Sequence, residues 1–333
     1  MTGYCINVDF PDIRRWASGN TGVPYVWKFS SHVPGAHVCV NALVHGNEVC
    51  GAIAADALLH ALHDSHNRLR VSRGTVSIVF ANVDAYHAFD AAKPYESRCV
   101  EEDFNRLWNT ETLDGARDSK ELRRARELRA HYDTVDHLLD LHSMLEPAPA
   151  IALAGDTAKG IALARAIATP ENILVDSGHA AGKRLRDYAE FGNPASHKSA
   201  LLIECGQHWE RDVGDVAFDV MWHFLRHFDV FESKLISSKI RTNAVAAQRV
   251  IEISKVVTMN TESFQWVRPL RGLEVISSAN TLIATDGDSE IRTPHDDAVM
   301  VMKVPLPKRG QTAVRIGRFV YAPSPSGKGL GLG

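Results

Sequence analysis

His37-Val38-Cys39-Val40-Asn41-Ala42-Leu43-Val44 runs straight into His45-Gly46-Asn47-Glu48, and a helical pattern over 49–67 begins at once with Val49-Cys50-Gly51. An apolar run of strand length followed by a helix is the opening of an α/β unit. Gly46 and Gly51 let the backbone turn sharply between the two elements. His45 and Glu48, three residues apart on that turn, can aim a ring nitrogen and a carboxylate at one point. Zinc takes both kinds of ligand at short, similar distances. Taken alone, the same spacing also describes a helix cap beside a surface glutamate.

Outward from this stretch, residues 35–229 keep alternating short apolar runs with amphipathic stretches. Strands are expected at 37–44, 75–81, 137–141, 150–154, 173–175 and 200–203. Helices are expected near 49–67, 118–132, 156–168, 178–190 and 214–227. The pattern predicts an α/β fold with a mostly parallel, mixed sheet flanked by helices. Pro147 and Pro149 suit a loop, and Thr169-Pro170 suits a helix end. After about Lys234 helical periodicity largely disappears, and strands are expected at 250–257, 272–277, 281–284, 298–304 and 314–320. The chain therefore divides into a main α/β domain over 1–234 and a smaller all-β C-terminal domain over 235–322. The Gly-, Ser- and Pro-rich 323–333 reads as a flexible tail.

The bulk numbers narrow the classes. A length of 333 residues suggests two domains, and 45% hydrophobic residues are ample for a large core. A formal charge of −3 without blocks of like charge gives no basic face for nucleic acid. No apolar run approaches the length of a membrane span, and Met1 to Trp16 lacks an apolar signal core. Five cysteines without CxxC spacing argue against a disulfide framework or a cysteine-type zinc site. The expectation is a reduced, cytoplasmic protein, with a homo-oligomer left open.

Three further segments carry chemistry. In Leu138-Leu139-Asp140-Leu141-His142-Ser143 a second apolar run ends in a histidine. Functional groups in open α/β sheets gather beyond the carboxyl ends of strands. Two histidines and one glutamate leave a fourth zinc position for water, the composition of a catalytic site. Asp140 is either a partner orienting a ligand or simply a strand-end residue. Leu201-Leu202-Ile203-Glu204-Cys205-Gly206-Gln207-His208 places a carboxylate after a strand and before a glycine. Such a group can move a proton between water and a leaving amine. Cys205 and His208 also permit a thiol nucleophile, but side-chain alternation turns Cys205 away from Glu204. Finally, Arg98-Cys99-Val100-Glu101-Glu102-Asp103-Phe104-Asn105-Arg106 offers two arginines and an asparagine for anion recognition, or else a solvated charged loop.

In order and spacing, His45-Gly46-Asn47-Glu48, Arg98, Asn105-Arg106, Asp140-Leu141-His142 and Glu204-Cys205-Gly206 together resemble the succinylglutamate desuccinylase/aspartoacylase family of the zinc carboxypeptidase superfamily. The resemblance covers about 35–229, and the β-rich remainder is similar to that family's C-terminal domain. It implies that His45, Glu48 and His142 bind one Zn2+ per chain. It implies Glu204 as catalytic acid/base, Arg98 as the group holding the carbonyl oxygen, and Asn105 with Arg106 as the binders of a substrate carboxylate. The implied reaction is hydrolysis of an amide in a small N-acyl amino acid, with zinc and Glu204 activating water. Another divalent ion fits the ligand types as well.

One departure bears on the substrate. Aspartoacylase itself carries an arginine about ten residues before the catalytic glutamate, serving a second carboxylate. Here that position is Pro194, with only His197 and Lys198 close by. The expected substrate is therefore a monocarboxylate N-acyl amino acid or an N-acyl diamino acid. The family likeness also implies that the β-rich part limits substrate size, with Trp266 and Arg268 as residues to inspect. A metallocarboxypeptidase trimming peptide C-termini would use the same catalytic groups, and a non-catalytic binding protein of this fold is the remaining alternative. Cys50 and Cys205 beside the motifs would make activity oxidation-sensitive if they were exposed.

Overall fold

The structure is a computed structural model that describes residues 5–66, 69–177, 181–305 and 307–320. Its strands are β1 (Val26–Ser30), β2 (His37–Ala42), β3 (Thr75–Phe80), β4 (His137–Met144), β5 (Ile151–Leu153), β6 (Asn172–Val175) and β7 (Ser199–Gln207). They continue with β8 (Arg249–Thr258), β9 (Phe264–Trp266), β10 (Val275–Ile276), β11 (Leu282–Asp286), β12 (Ser289–Arg292), β13 (Ala298–Val301) and β14 (Thr312–Val320). The α-helices are α1 (Cys50–His63), α2 (Val83–His87), α3 (Thr110–Asp114), α4 (Lys120–Asp133), α5 (Ala158–Ile167), α6 (Ala189–Gly192), α7 (Val213–His227) and α8 (Ser233–Ser237).

Eleven strands form one mixed sheet in the order β1-β3-β2-β4-β7-β5-β6-β8-β14-β13-β10. Its heart is parallel: β3, β2, β4 and β7 run the same way. All six residues of β2 and all but the first of β4 are buried. Such continuous burial is what a strand covered by helices on both faces requires. Alternate side chains feed two cores. Val38, Val40, Leu139, Leu141, Leu201 and Ile203 pack with Leu58 and Leu59 of α1 and Trp222 of α7. Cys39, Leu138 and Ala200 point the other way, toward Trp108, Leu122 and Tyr132.

The expected strands are present, with ends shifted by a few residues, and three more appear. The half-exposed β1 pairs antiparallel with β3 at the sheet edge, while β9 and β12 flank β11 in a separate three-stranded antiparallel sheet. An edge strand is wetted and mixes polar with apolar residues, so its sequence carries a weaker signal than a buried one. The long helix expected at 178–190 is not formed. Residues 178–180 lie outside the described residues, and the rest holds a 3-10 turn at Leu185–Asp187 and the start of α6. Gly182 has φ +139°, and a Cβ there would come within 2.2 Å of the Arg106 carbonyl oxygen. Close approach to a neighbouring loop has overridden local helical periodicity here.

The described residues after α8 form strands and loops only. They serve two sheets: β8 pairs parallel with β6 and carries β14, β13 and β10 into the large sheet. Val257, Ile283, Met300, Val314 and Ile316 fill the small core between these strands and the three-stranded sheet. The tail 323–333 lies outside the described residues. No helix among the described residues is long and apolar enough to cross a membrane.

The turn after β2 is cramped. Gly46 donates its N–H to the Arg98 carbonyl at 3.1 Å. A Cβ on Gly46 would lie 2.2 Å from the Ala85 carbonyl carbon and 2.5 Å from the Ser97 oxygen, all backbone atoms. Backbone cannot yield as a flexible side-chain tip can, so Gly46→Ala is expected to cost about 1–3 kcal/mol or more. Urea denaturation measures this directly, and an unchanged midpoint would show that the turn has slack.

Candidate active site

Parallel pairing brings the carboxyl ends of β2, β4 and β7 side by side, and His142 on β4 is the direct register partner of Glu204 on β7. His45 lies three residues beyond β2, and α1 starts two residues after Glu48. His45 Nδ1 is 2.8 Å from Glu48 Oε1, and His142 Nδ1 is 2.8 Å from Glu48 Oε2. The Ser143 N–H donates to the same Oε2 at 3.2 Å. All three groups are buried, and one ligand atom from each lies within 4.8 Å of the others, a cluster able to hold a metal ion.

The far side of each imidazole supports that reading. His45 Nε2 lies 3.0 Å from Asp103 Oδ1, and His142 Nε2 lies 2.9 Å from Asp140 Oδ2. A carboxylate behind each ring fixes its orientation and makes the opposite nitrogen a better ligand. Asp140 is completely buried, and its Oδ1 accepts from Asn41, whose own side-chain oxygen accepts from Tyr132. The sequence left Asp140 between two roles; the 2.9 Å approach of its Oδ2 to His142 Nε2 favours the orienting one. Asp103 carried no assignment from sequence, and nothing in its spacing marked it.

Electrostatically the cluster calls for positive charge. Three carboxylates, Glu48, Asp103 and Asp140, surround two imidazoles. Burial pushes the Glu48 carboxyl up, but His45 and His142 outweigh it and hold it well below the usual range. Burial would lower His142, yet Asp140 and Glu48 raise it well above an ordinary histidine. Imidazole and carboxylate donors with carboxylates behind both rings fit zinc, and the same donors accept other divalent ions.

The loop from Arg98 to Arg106 closes one side. Arg98 donates to Glu48 at 3.1 Å and to Asp103 at 3.2 Å. Asn105 accepts the Leu185 N–H at 2.8 Å, which pins the loop before α6. Glu204 has one carboxylate oxygen buried without a hydrogen-bond partner. Burial and the neighbouring Glu48 push its carboxyl up to about 8, against the pull of His142, Arg98 and Arg184. His208, whose Nδ1 lies 2.8 Å from the Ser143 hydroxyl, is driven by burial down to about 4 and stays neutral.

His45, Glu48, Arg98, Asn105, Arg106, His142 and Glu204 all line one cavity of about 490 Å³. Its far wall holds cations that the sequence did not single out: Arg184, Arg315 on β14, and Lys303 after β13. Arg184 and Arg315 share Asp176, at 2.9 and 3.4 Å, while Lys303 pairs with Glu146 at 3.2 Å. Burial, and repulsion from Arg98, Arg184 and Arg315 against the attraction of Asp103, bring Arg106 down to about 10. Arg184 was hidden inside the expected helix, and Arg315 inside a strand with no motif. Trp266 and Arg268 do not line this cavity; Trp266 sits behind it, 5.5 Å from the Lys303 ammonium.

Cys50 and Cys205 are buried. Cys205 faces the core with Leu201 and Ile203, and burial pushes its thiol well above the usual range. Neither thiol lines the cavity.

Residues 34–228 match the family model described as the succinylglutamate desuccinylase/aspartoacylase catalytic domain. A search of curated protein sequences found no match. Among solved structures, the chain resembles a succinylglutamate desuccinylase from Vibrio cholerae, with TM-score 0.67 and 16% identity over 90% of this chain and 88% of that one. The enzyme of the same name from Vibrio parahaemolyticus gives 0.65 and 16% over 90% and 87%. The product-bound ectoine utilization protein EutE of Ruegeria pomeroyi gives 0.61 and 14% over 88% of each chain.

Replacing Asp140 by Asn keeps the shape but removes the charge behind His142. Zinc affinity, read by competition with a chromophoric chelator, is expected to fall about 10–100-fold. Unchanged affinity would show that Asp140 does not tune the site.

Proposed function

Because the chain belongs to the succinylglutamate desuccinylase/aspartoacylase family, we propose that it is a zinc-dependent amidohydrolase that removes the acyl group from a small N-acyl amino acid. The observation that carries this reading is the placement of Glu204 in register beside His142, on the cavity that the His45–Glu48–His142 cluster also lines. His45 Nδ1, the Glu48 carboxylate and His142 Nδ1 would hold the ion. When bound, zinc would supply Lewis-acid polarisation of a carbonyl and a more acidic water.

The chain's own groups divide the remaining work. Glu204, a buried carboxyl that burial and Glu48 hold near neutrality, can take a proton from the attacking water and return it to the departing amine. Arg98 can donate to the carbonyl oxygen as negative charge develops there. Asn105 and Arg106 can bind the carboxylate of the amino acid, for which a guanidinium is geometrically suited. A cavity of about 490 Å³ suits a small substrate better than an extended peptide.

Arg184 and Arg315 favour a substrate with a second negative charge over the mono-anion or diamino acid expected from Pro194. Asp176 offsets one of these two guanidiniums, and Asp103 is already engaged by His45 and Arg98. The ammonium group of a diamino acid would enter against like charge, whereas a second carboxylate would relieve it.

With the metal-loaded enzyme and a panel of N-acyl amino acids, amine release should be abolished by chelator. Glu204→Gln should lower kcat by about 10²–10⁴-fold while zinc stays bound. Release from peptide C-termini alone would move the protein to the carboxypeptidase reading. The wild type should prefer N-acetylaspartate over the isosteric, neutral-side-chain N-acetylasparagine by at least about tenfold in kcat/KM. Arg315→Gln should shrink that ratio. Parity in the wild type would remove Arg184 and Arg315 from recognition and restore the mono-anion.

A further inference from the structure

Glu121 is completely buried in the first turn of α4, outside the cavity. A buried carboxylate is tolerable only when its oxygens are satisfied. Here Oε1 accepts from the Val100 N–H at 2.6 Å and the Asn82 side-chain amide at 3.2 Å. Oε2 accepts from the Glu101 N–H at 3.1 Å and the Glu102 N–H at 3.3 Å. Three consecutive backbone donors therefore converge on one side chain, forming an anion nest filled from within the chain.

The held segment matters because of what flanks it. Between the 3-10 turns Glu96–Arg98 and Phe104–Arg106 the loop has no ladder of its own. Arg98 lies two residues before the nest, and Asp103, Asn105 and Arg106 follow it; all four line the cavity. The same helix end grips the loop from two more points. The Lys120 N–H donates to Glu101 at 2.7 Å, and the Ser119 hydroxyl donates to Glu102. Asn82, in turn, gives its backbone N–H to the Leu43 carbonyl, two residues before His45. One carboxylate thus ties together helix, loop and the strand end that leads into the metal cluster.

We propose that Glu121 is a positioning residue that sets where Arg98, Asp103, Asn105 and Arg106 stand relative to His45 and Glu48. It touches no substrate; it acts through Arg98 and its neighbours. For its activity readings the proposal rests on the amidohydrolase function above. Misplacement by a fraction of an ångström is costly in such sites, because both oxyanion donation and carboxylate binding depend on aim.

The test is Glu121→Gln, isosteric but with an NH2 group where an acceptor stood. Hydrogen exchange of the Val100, Glu101 and Glu102 amides should accelerate at least about tenfold while β2, β4 and β7 keep their protection. The kcat/KM should fall about 10–100-fold, with KM raised and kcat lowered together, since Arg106 and Arg98 move as one loop. In an Arg98→Gln background the same change should cost less than about threefold, because groups acting through one another are not additive. Full additivity, or exchange accelerated across the whole sheet, would make Glu121 a general stabiliser and overturn the proposal. If Glu121→Gln folds poorly, Glu121→Asp keeps the charge one methylene short and should give a smaller loss in the same readings; wild-type behaviour would also overturn it. The exchange reading needs no substrate, so failure of the amidohydrolase function and failure of this inference are told apart.

Discussion

Glu48 spends its two carboxylate oxygens on two imidazoles that arrive from different strands, one at 2.8 Å on each side. Much of the site is arranged around this contact. It needs β2 and β4 to be parallel neighbours so that both histidines emerge at the same sheet edge, and it needs a turn tight enough to bring Glu48 back over that edge. Gly46 supplies the turn because nothing larger than hydrogen fits between it and the backbone of residues 85 and 97. The negative charge gathered at Glu48, Asp103 and Asp140 then sets the demand for a cation, answered by Arg98 on one side and open to a metal ion on the other.

What could be read from the sequence follows from how each signal is produced. Continuous burial makes β2, β4 and β7 largely apolar, and their apolar runs lead into His45, His142 and Glu204, so these strands and those residues stood out. The partners behind the rings did not. Asp103 sits in a charged loop where a carboxylate is unremarkable, and Asp140 lies inside a strand whose alternation allows either face. Arg184 and Arg315 were invisible for another reason. They reach the cavity only through tertiary placement, one on a segment whose helical periodicity yields to close packing against Arg106, the other on a strand far along the chain. Glu121 looked like any acidic residue at a helix start, and only the convergence of three amides distinguishes it.

On the proposed function, specificity and chemistry fall to different elements around the cavity. The parallel strands lead into His45, His142 and Glu204, the groups proposed to hold an ion and to move a proton, whereas Arg98, proposed for the carbonyl oxygen, stands on a loop. The proposed recognition falls to loops and to the C-terminal β-rich part, where Lys303 and Arg315 are buried among ion partners. Such a division lets the chemistry stay constant while the far wall is varied, as is general for sites grafted on a common scaffold.

The pairing of β8 with β6 has a practical meaning for anyone handling the molecule in pieces. A fragment ending near residue 234 would lose the strand that covers β6 and would present a raw row of amides and carbonyls to solvent. Open edges of that kind recruit other chains. The same cut would remove the wall that Arg315 and Lys303 build, so a shortened protein would be both sticky and blunt in its choice of ligand.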